Sequence, residues 1–226
     1  MRTIWNGHVD AASAVARHAA SAVARRAAMA LAALLLASTA AATTFEVAEA
    51  SEANYRVREQ FAGINFPDDV VGVTGAVDGR IALDGAGGVL DGSLVTVGLA
   101  ALTSDEPRRD DYVRNNTLQT ARFPTADFVP TRVTGLAFPL ASSGAVEVEI
   151  TGELTLRGVT RPVTWHGIAT FERDVVRLEA ATTVTFTDFE LTRPRFAAVL
   201  GVADEITLEI RLHLRRMGDD ASSATD

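Results

Sequence analysis

Thr151 to Gly167 reads TGELTLRGVTRPVTWHG. On its N-terminal side Val146, Val148, Ile150, Leu154 and Leu156 share one parity, while Glu147, Glu149, Thr151, Glu153, Thr155 and Arg157 share the other. Successive side chains of a strand leave opposite faces, so this alternation predicts a strand with one dry and one wet face. Gly158 permits a sharp bend, and Pro162 removes an amide donor where the returning strand begins. Beyond it Val163, Trp165 and Phe171 take one face, and Thr164 and His166 the other. The stretch is a predicted hairpin. A hairpin with this much apolar surface needs further strands to cover it.

Working outward, the same period recurs on both sides. Tyr55, Val57 and Phe61 alternate with Arg56, Arg58 and Gln60. Val73, Val77, Ile81 and Leu83 alternate with Thr74, Asp78 and Arg80, before a turn at Asp84-Gly85-Ala86-Gly87-Gly88. Val95, Val97 and Leu99 alternate with Thr96 and Gly98. Strand character resumes over Thr125–Val133, where Pro130 marks an edge or a bulge. After the hairpin, Val176, Leu178, Ala180, Val184 and Phe186 oppose Arg177, Glu179, Thr183 and Thr185. The last strand sets Ile206, Leu208, Ile210, Leu212 and Leu214 against Thr207, Glu209, Arg211, His213 and Arg215.

One stretch breaks the pattern. In residues 103–118, TSDEPRRDDYVRNNTL, Ser104 or Asp105 suits a helix cap and Pro107 a first turn, with Tyr112, Val113 and Leu118 placed to face the core. The expected fold is therefore all-β: about eight long antiparallel strands closed into a barrel, with one short helix. A barrel of that size is either filled by side chains or holds one slender ligand.

Composition narrows the function. All 21 basic residues are Arg, and 29 acids give the 226-residue chain a net charge of −8. Without residues 1–42, 17 Arg face 28 acids, a net charge of −11. Nucleic-acid binding needs a positive surface, so it is not expected. No Cys is present, which excludes disulfides, thiolate metal sites and thiol catalysis. The N-terminus is Ala-rich and carries Arg2, Arg17, Arg25 and Arg26 before an apolar run from Ala27 to Ala42. This is the pattern of a signal peptide, or of an N-terminal anchor helix if uncleaved, and it predicts export to the periplasm or beyond. Membrane contact is expected only through that segment. The domain reading is a leader over 1–42, a small acidic linker over 43–53, the barrel over 54–216 and a disordered tail over 217–226.

The search for chemistry returns little. His166 and His213 lie on wet parities, and no pair stands at metal-ligand spacing. Neither a nucleophile elbow nor a phosphate-cradling loop is present. The acid pairs Asp68-Asp69, Asp110-Asp111 and Asp204-Glu205 read as solvated loop residues, since neighbours on a strand face apart. No catalytic residue, metal or cofactor is expected. The Arg-rich helix, with Arg108, Arg109, Asp110, Tyr112 and Arg114, offers guanidinium forks suited to phosphate or carboxylate, unless its own acids satisfy them.

The run Leu154-Thr155-Leu156-Arg157-Gly158-Val159-Thr160-Arg161-Pro162-Val163-Thr164 resembles the LTIRGVTRPVT signature of the YceI-like, polyisoprenoid-binding family. Arg122-Phe123-Pro124-Thr125-Ala126-Asp127-Phe128, Arg109-Asp110, Asp188-Phe189 and Asp204-Glu205-Ile206-Thr207-Leu208-Glu209-Ile210 resemble further family motifs in the same order. The resemblance spans about Ala53 to Arg216. It departs at Tyr112, where the family has His, at Val113 for Leu, at Glu190 for the Gly of DFG, and at Phe186-Thr187, where an Arg usually precedes that motif.

The resemblance implies a lipocalin-like eight-stranded barrel whose interior holds a long isoprenoid chain, such as a polyprenyl phosphate or an isoprenoid quinone. It also implies an exported, often dimeric, non-enzymatic carrier. The residues expected to line the interior are Val95, Val97, Phe128, Val148, Ile150, Trp165, Phe171, Val184, Phe186, Leu208 and Ile210. Arg109, Tyr112, Arg193 and Arg195 are expected near the mouth and the ligand head group. The alternatives are a filled barrel that binds another protein and, less favoured by the residues, a lipid-modifying enzyme.

Overall fold

The structure is a computed structural model, and it describes residues 42–61, 68–194 and 199–217. The expected leader up to residue 41, the tail from 218 and Arg195 lie outside the described residues. Ten strands follow in order: β1 (Thr43–Val47), β2 (Glu52–Phe61), β3 (Asp68–Thr74), β4 (Val77–Leu83), β5 (Leu94–Gly98), β6 (Thr125–Thr134), β7 (Ser143–Leu156), β8 (Val159–Glu172), β9 (Val175–Thr185) and β10 (Val199–Arg216). All pairings are antiparallel, in the order β1-β4-β5-β6-β7-β8-β9-β10-β2-β3, and β1 also pairs with β10. That last ladder closes the sheet. Thr43–Glu46 bonds to β4 on one edge, and Phe45–Val47 bonds to the end of β10 on the other.

The ten strands make eight staves, because β1 with β2 and β3 with β4 are each one stave broken by a bend. The first break sits in the stretch 43–53, expected from its composition to be a linker. It is instead part of the wall. Ser51 explains why: it is 2% exposed, its hydroxyl donates to the Ala48 carbonyl (2.7 Å), and its oxygen accepts from the His213 amide (3.0 Å). The break is thus stitched to β10 by a side chain where the backbone ladder lapses.

The second break reverses a parity read from sequence. Val73 points outward, 36% exposed, while Thr74 is 2% exposed and faces in. The Thr74 hydroxyl donates to the Gly98 carbonyl (3.2 Å) and accepts from the Ala76 amide (3.1 Å), which satisfies it inside. A two-residue bend at Gly75 and Ala76 resets the alternation, so Val77, Ile81 and Leu83 return inward. Pro130 proves to be a bulge in an interior stave, with a register shift between Pro130 and Arg132.

The central hairpin forms as read. Residues 143–156 pair with 159–172 in unbroken register, and Arg157 (φ 52) and Gly158 (φ 77) make the two-residue turn that matches strand twist. Gly152 is needed for a different reason. A Cβ there would lie 2.7 Å from the Phe128 ring and 2.3 Å from the Val129 carbonyl oxygen, so its lack of a side chain makes room for that ring.

The helical insertion is α1 (Pro107–Tyr112), continued by a π-helical turn over Val113–Thr117. Its cap is Glu106, whose side chain accepts from the Arg108 amide (3.1 Å), and not Ser104 or Asp105. Ser104 turns instead to Asp110, which accepts from its amide (2.9 Å) and its hydroxyl (2.6 Å). Asp110 is therefore buried, contrary to the solvated reading of that acid pair.

The buried side chains form two groups. One gathers Phe45, Ile81, Val148, Phe171, Leu178 and Leu214 at the β1 end. The other lies under the insertion and gathers Leu99, Leu102, Val113, Leu118, Phe186 and Phe189.

Candidate functional site

The interior is not filled. A cavity of ≈ 1360 Å³, counted out to its opening, runs between the staves. A smaller one of ≈ 480 Å³ lies toward the β1 end. The lining of the larger cavity draws on every strand from β2 to β10 and on the helical insertion. Its wall is almost wholly apolar. Val95, Val97, Phe128, Ile150, Trp165, Val184, Phe186, Leu208 and Ile210 all border it, and Val148 and Phe171 border the smaller one. Phe128, Leu208 and Ile210 are only half-buried although they face inward, because part of each faces empty space. Phe128 meets Trp165 edge to face, with ring centroids 5.9 Å apart and planes at 68°.

Ile81, Ile150 and Leu178 border both cavities. They form a waist between the two compartments.

The larger cavity meets the helical insertion at one end. Leu99, Leu102, Arg109, Val113, Thr117 and Leu118 border it there. Arg109 is 9% exposed, and its Nη1 donates to Asp105 (2.5 Å) and to the Ser104 hydroxyl (3.3 Å). The other mouth candidates lie elsewhere. Tyr112 is half-buried and does not border the cavity, because it leaves α1 on another side. Arg193 is exposed and pairs with Asp204 at 2.6 Å, which draws it onto the outer surface. Arg114 is drawn away likewise, by Asp111 (2.7 Å). Asp105 and Asp111 thus pair Arg109 and Arg114 locally, yet Arg109 stays at the cavity wall.

Sequence reasoning missed Glu59. It lies on the inward parity of β2 with Tyr55 and Val57, is 3% exposed and borders the cavity. Its Oε2 has no hydrogen-bond partner among the described residues. Burial pushes its carboxyl above the usual range, opposed by the Arg109 charge and reinforced by Asp105. Tyr55, beside it, is pushed up to about 12, mainly by burial. The signal was present: an acid at a dry position, between Val57 and Phe61. Two further polar wall groups are satisfied, Thr74 as above and Thr117 by donating to the Thr192 carbonyl (3.0 Å). Trp165 Nε1 is buried and, among the described residues, unpaired.

A closed antiparallel barrel with an unfilled, apolar interior defines a class of binding protein with internal ligand space. Within that class the profile of the YceI-like domain matches residues 42–214, and the chain belongs to that family. It is 31% identical to protein YceI of Escherichia coli O157:H7 over 139 residues, 58% of this chain and 69% of that protein. It is 39% identical to a UPF0312 protein of Shewanella denitrificans over 97 residues, 42% of this chain and 47% of that protein. The chain thus spans about half of the Shewanella relative.

Among solved structures, a polyisoprenoid binding domain from Saccharophagus degradans superposes with a TM-score of 0.58 at 12% identity, covering 77% of this chain and 98% of that one. Burkholderia cenocepacia BcnA gives 0.54 at 17% identity, covering 72% and 95%. At such identities the likeness is one of fold.

Proposed function

We propose that this protein binds a long-chain isoprenoid lipid inside its barrel and carries or sequesters it outside the cytoplasm without chemically altering it. The observation that carries this reading is the apolar cavity between the staves, ≈ 1360 Å³ counted out to its opening and lined by residues from β2 to β10. Each methylene moved from water into such a space contributes about 0.8 kcal/mol, so a chain of several isoprene units binds through burial alone. The polar groups converge at the end bordered by the helical insertion, which suits a head group there and a tail along β5 to β9. Membership of the YceI-like family and the fold shared with a polyisoprenoid binding domain support the lipid class. The leader pattern read from residues 1–42 supports an extracytoplasmic site of action.

The test is native mass spectrometry, with lipid extraction, on protein expressed with its leader and recovered from the cell envelope. A bound polyprenyl compound or isoprenoid quinone is the expected result. Protein that is reproducibly empty, and that takes up no added isoprenoid, would count decisively against a carrier.

A further inference from the structure

We infer that Glu59 receives the head group of the bound lipid, and that this head group is an uncharged oxygen function, a carbonyl or a hydroxyl, and not a phosphate. The inference rests on the isoprenoid-binding reading and deepens it.

Three observations carry it. First, Glu59 is 3% exposed, borders the cavity and leaves Oε2 without a hydrogen-bond partner among the described residues. A buried polar atom is normally satisfied, and leaving one unpaired is costly. A partner delivered by the guest accounts for it. Second, a carboxyl can pair with an uncharged oxygen function in either of its forms: protonated, its O–H donates, and ionised, its oxygens accept. The first pairs with a carbonyl oxygen, and a hydroxyl serves both. Third, the charges nearby disfavour an anion. Arg109 is the only cation among the described residues that border either cavity, and its Nη1 is engaged by Asp105. Asp110 is buried one residue further on. A phosphate monoester brings roughly −1.5 to −2 charges. It would enter an apolar cavity whose one guanidinium is already paired with Asp105.

The experiment is isothermal titration calorimetry of the full chain with two probes that share a four-isoprene tail: geranylgeraniol and geranylgeranyl monophosphate. At neutral pH the alcohol is expected to bind about tenfold more tightly. Glu59→Gln keeps a donor and should hold the alcohol affinity within about threefold. Glu59→Leu should lose about tenfold for the alcohol and nothing for the phosphate. Circular dichroism establishes that both variants fold. Tighter binding of the phosphate, equal binding of the two probes, or an alcohol affinity indifferent to Glu59→Leu overturns the head-group assignment while leaving a lipid carrier standing. Failure of both probes to bind the wild-type chain overturns the carrier reading, and this assignment with it.

Discussion

Arg157 Nη1 donates to the backbone carbonyl of Glu190, and both residues hold left-handed backbone, each with φ of 52°. One sits in the central turn and the other in the loop after β9. The bond joins two segments far apart in sequence, each strained at its own Cβ.

The two residues should respond differently to glycine. Glu190→Gly keeps the accepting carbonyl and removes the steric conflict, at some loss of unfolded-chain constraint. A net gain of about 0.5–1 kcal/mol is expected in urea denaturation. Arg157→Gly relieves the same strain but deletes the donor, so its gain should be smaller or reversed. Equal gains from both would mean that the bond contributes nothing.

Phe128 and Trp165 hold each other in the wall of the larger cavity. Phe128→Ala should destabilise the barrel by about 3 kcal/mol, the low end for loss of a phenyl ring, because the site already faces empty space. Trp165 emission should shift to the red as water reaches it. A loss under about 1 kcal/mol would show that Phe128 swings free of Trp165 in solution.

The waist at Ile81, Ile150 and Leu178 should set the length of tail the interior accepts. Ile150→Ala or Leu178→Ala is expected to cost about 2–5 kcal/mol of stability while merging the two compartments. Among prenols of increasing length, the longest that binds should gain at least one isoprene unit in the variant. An unchanged length limit would place the ruler elsewhere.

Glu59 gives stability a definite slope with pH. Its carboxyl is raised above the ordinary value of 4.5, so the folded state holds the proton more tightly than the unfolded one. Its contribution is complete below the unfolded value and is lost as pH rises through the folded one. Stability should therefore fall as pH rises from 4.5 through the folded value, and Glu59→Gln should remove that component of the slope. A slope unchanged in the variant would assign it to other groups. At the alkaline end, Tyr55 should release its proton only near 12, which ultraviolet absorbance of phenolate reports, and its contribution should vanish over the interval from 10 to 12.

Most of the staves were legible because period-two alternation survives wherever a strand has one dry face, as in β7, β8 and residues 206–215 of β10. Nine of the wall residues of the larger cavity were legible for the same reason: parity assigns a side even when it says nothing about filling. Alternation fails where a stave bends. Gly75 and Ala76 exchange the faces of Val73 and Thr74, and Ser51 carries the wall across a gap in the ladder, so β1 passed for a linker. The mouth was harder still. Whether an arginine faces a cavity or a surface acid depends on which acid reaches it, and Asp204 claims Arg193 while Asp105 leaves Arg109 at the wall. Glu59 was overlooked because the alternation was traced through apolar residues alone, although its parity placed it inside.

Closure by β1 has a consequence for how the barrel assembles. The stave that seals the ring comes from the first described residues and bonds to the last, Phe45 opposite Arg216. Contacts that distant in sequence form slowly, since a long loop must close before they contribute. The sealing step therefore waits for the C-terminal strand. Until then β4 and β10 stand as open edges, templates on which another chain can pair. A lipid present at that stage meets an open trough with its apolar wall exposed. The completed ring offers only its mouth, and loading during folding and loading afterwards are kinetically separate routes.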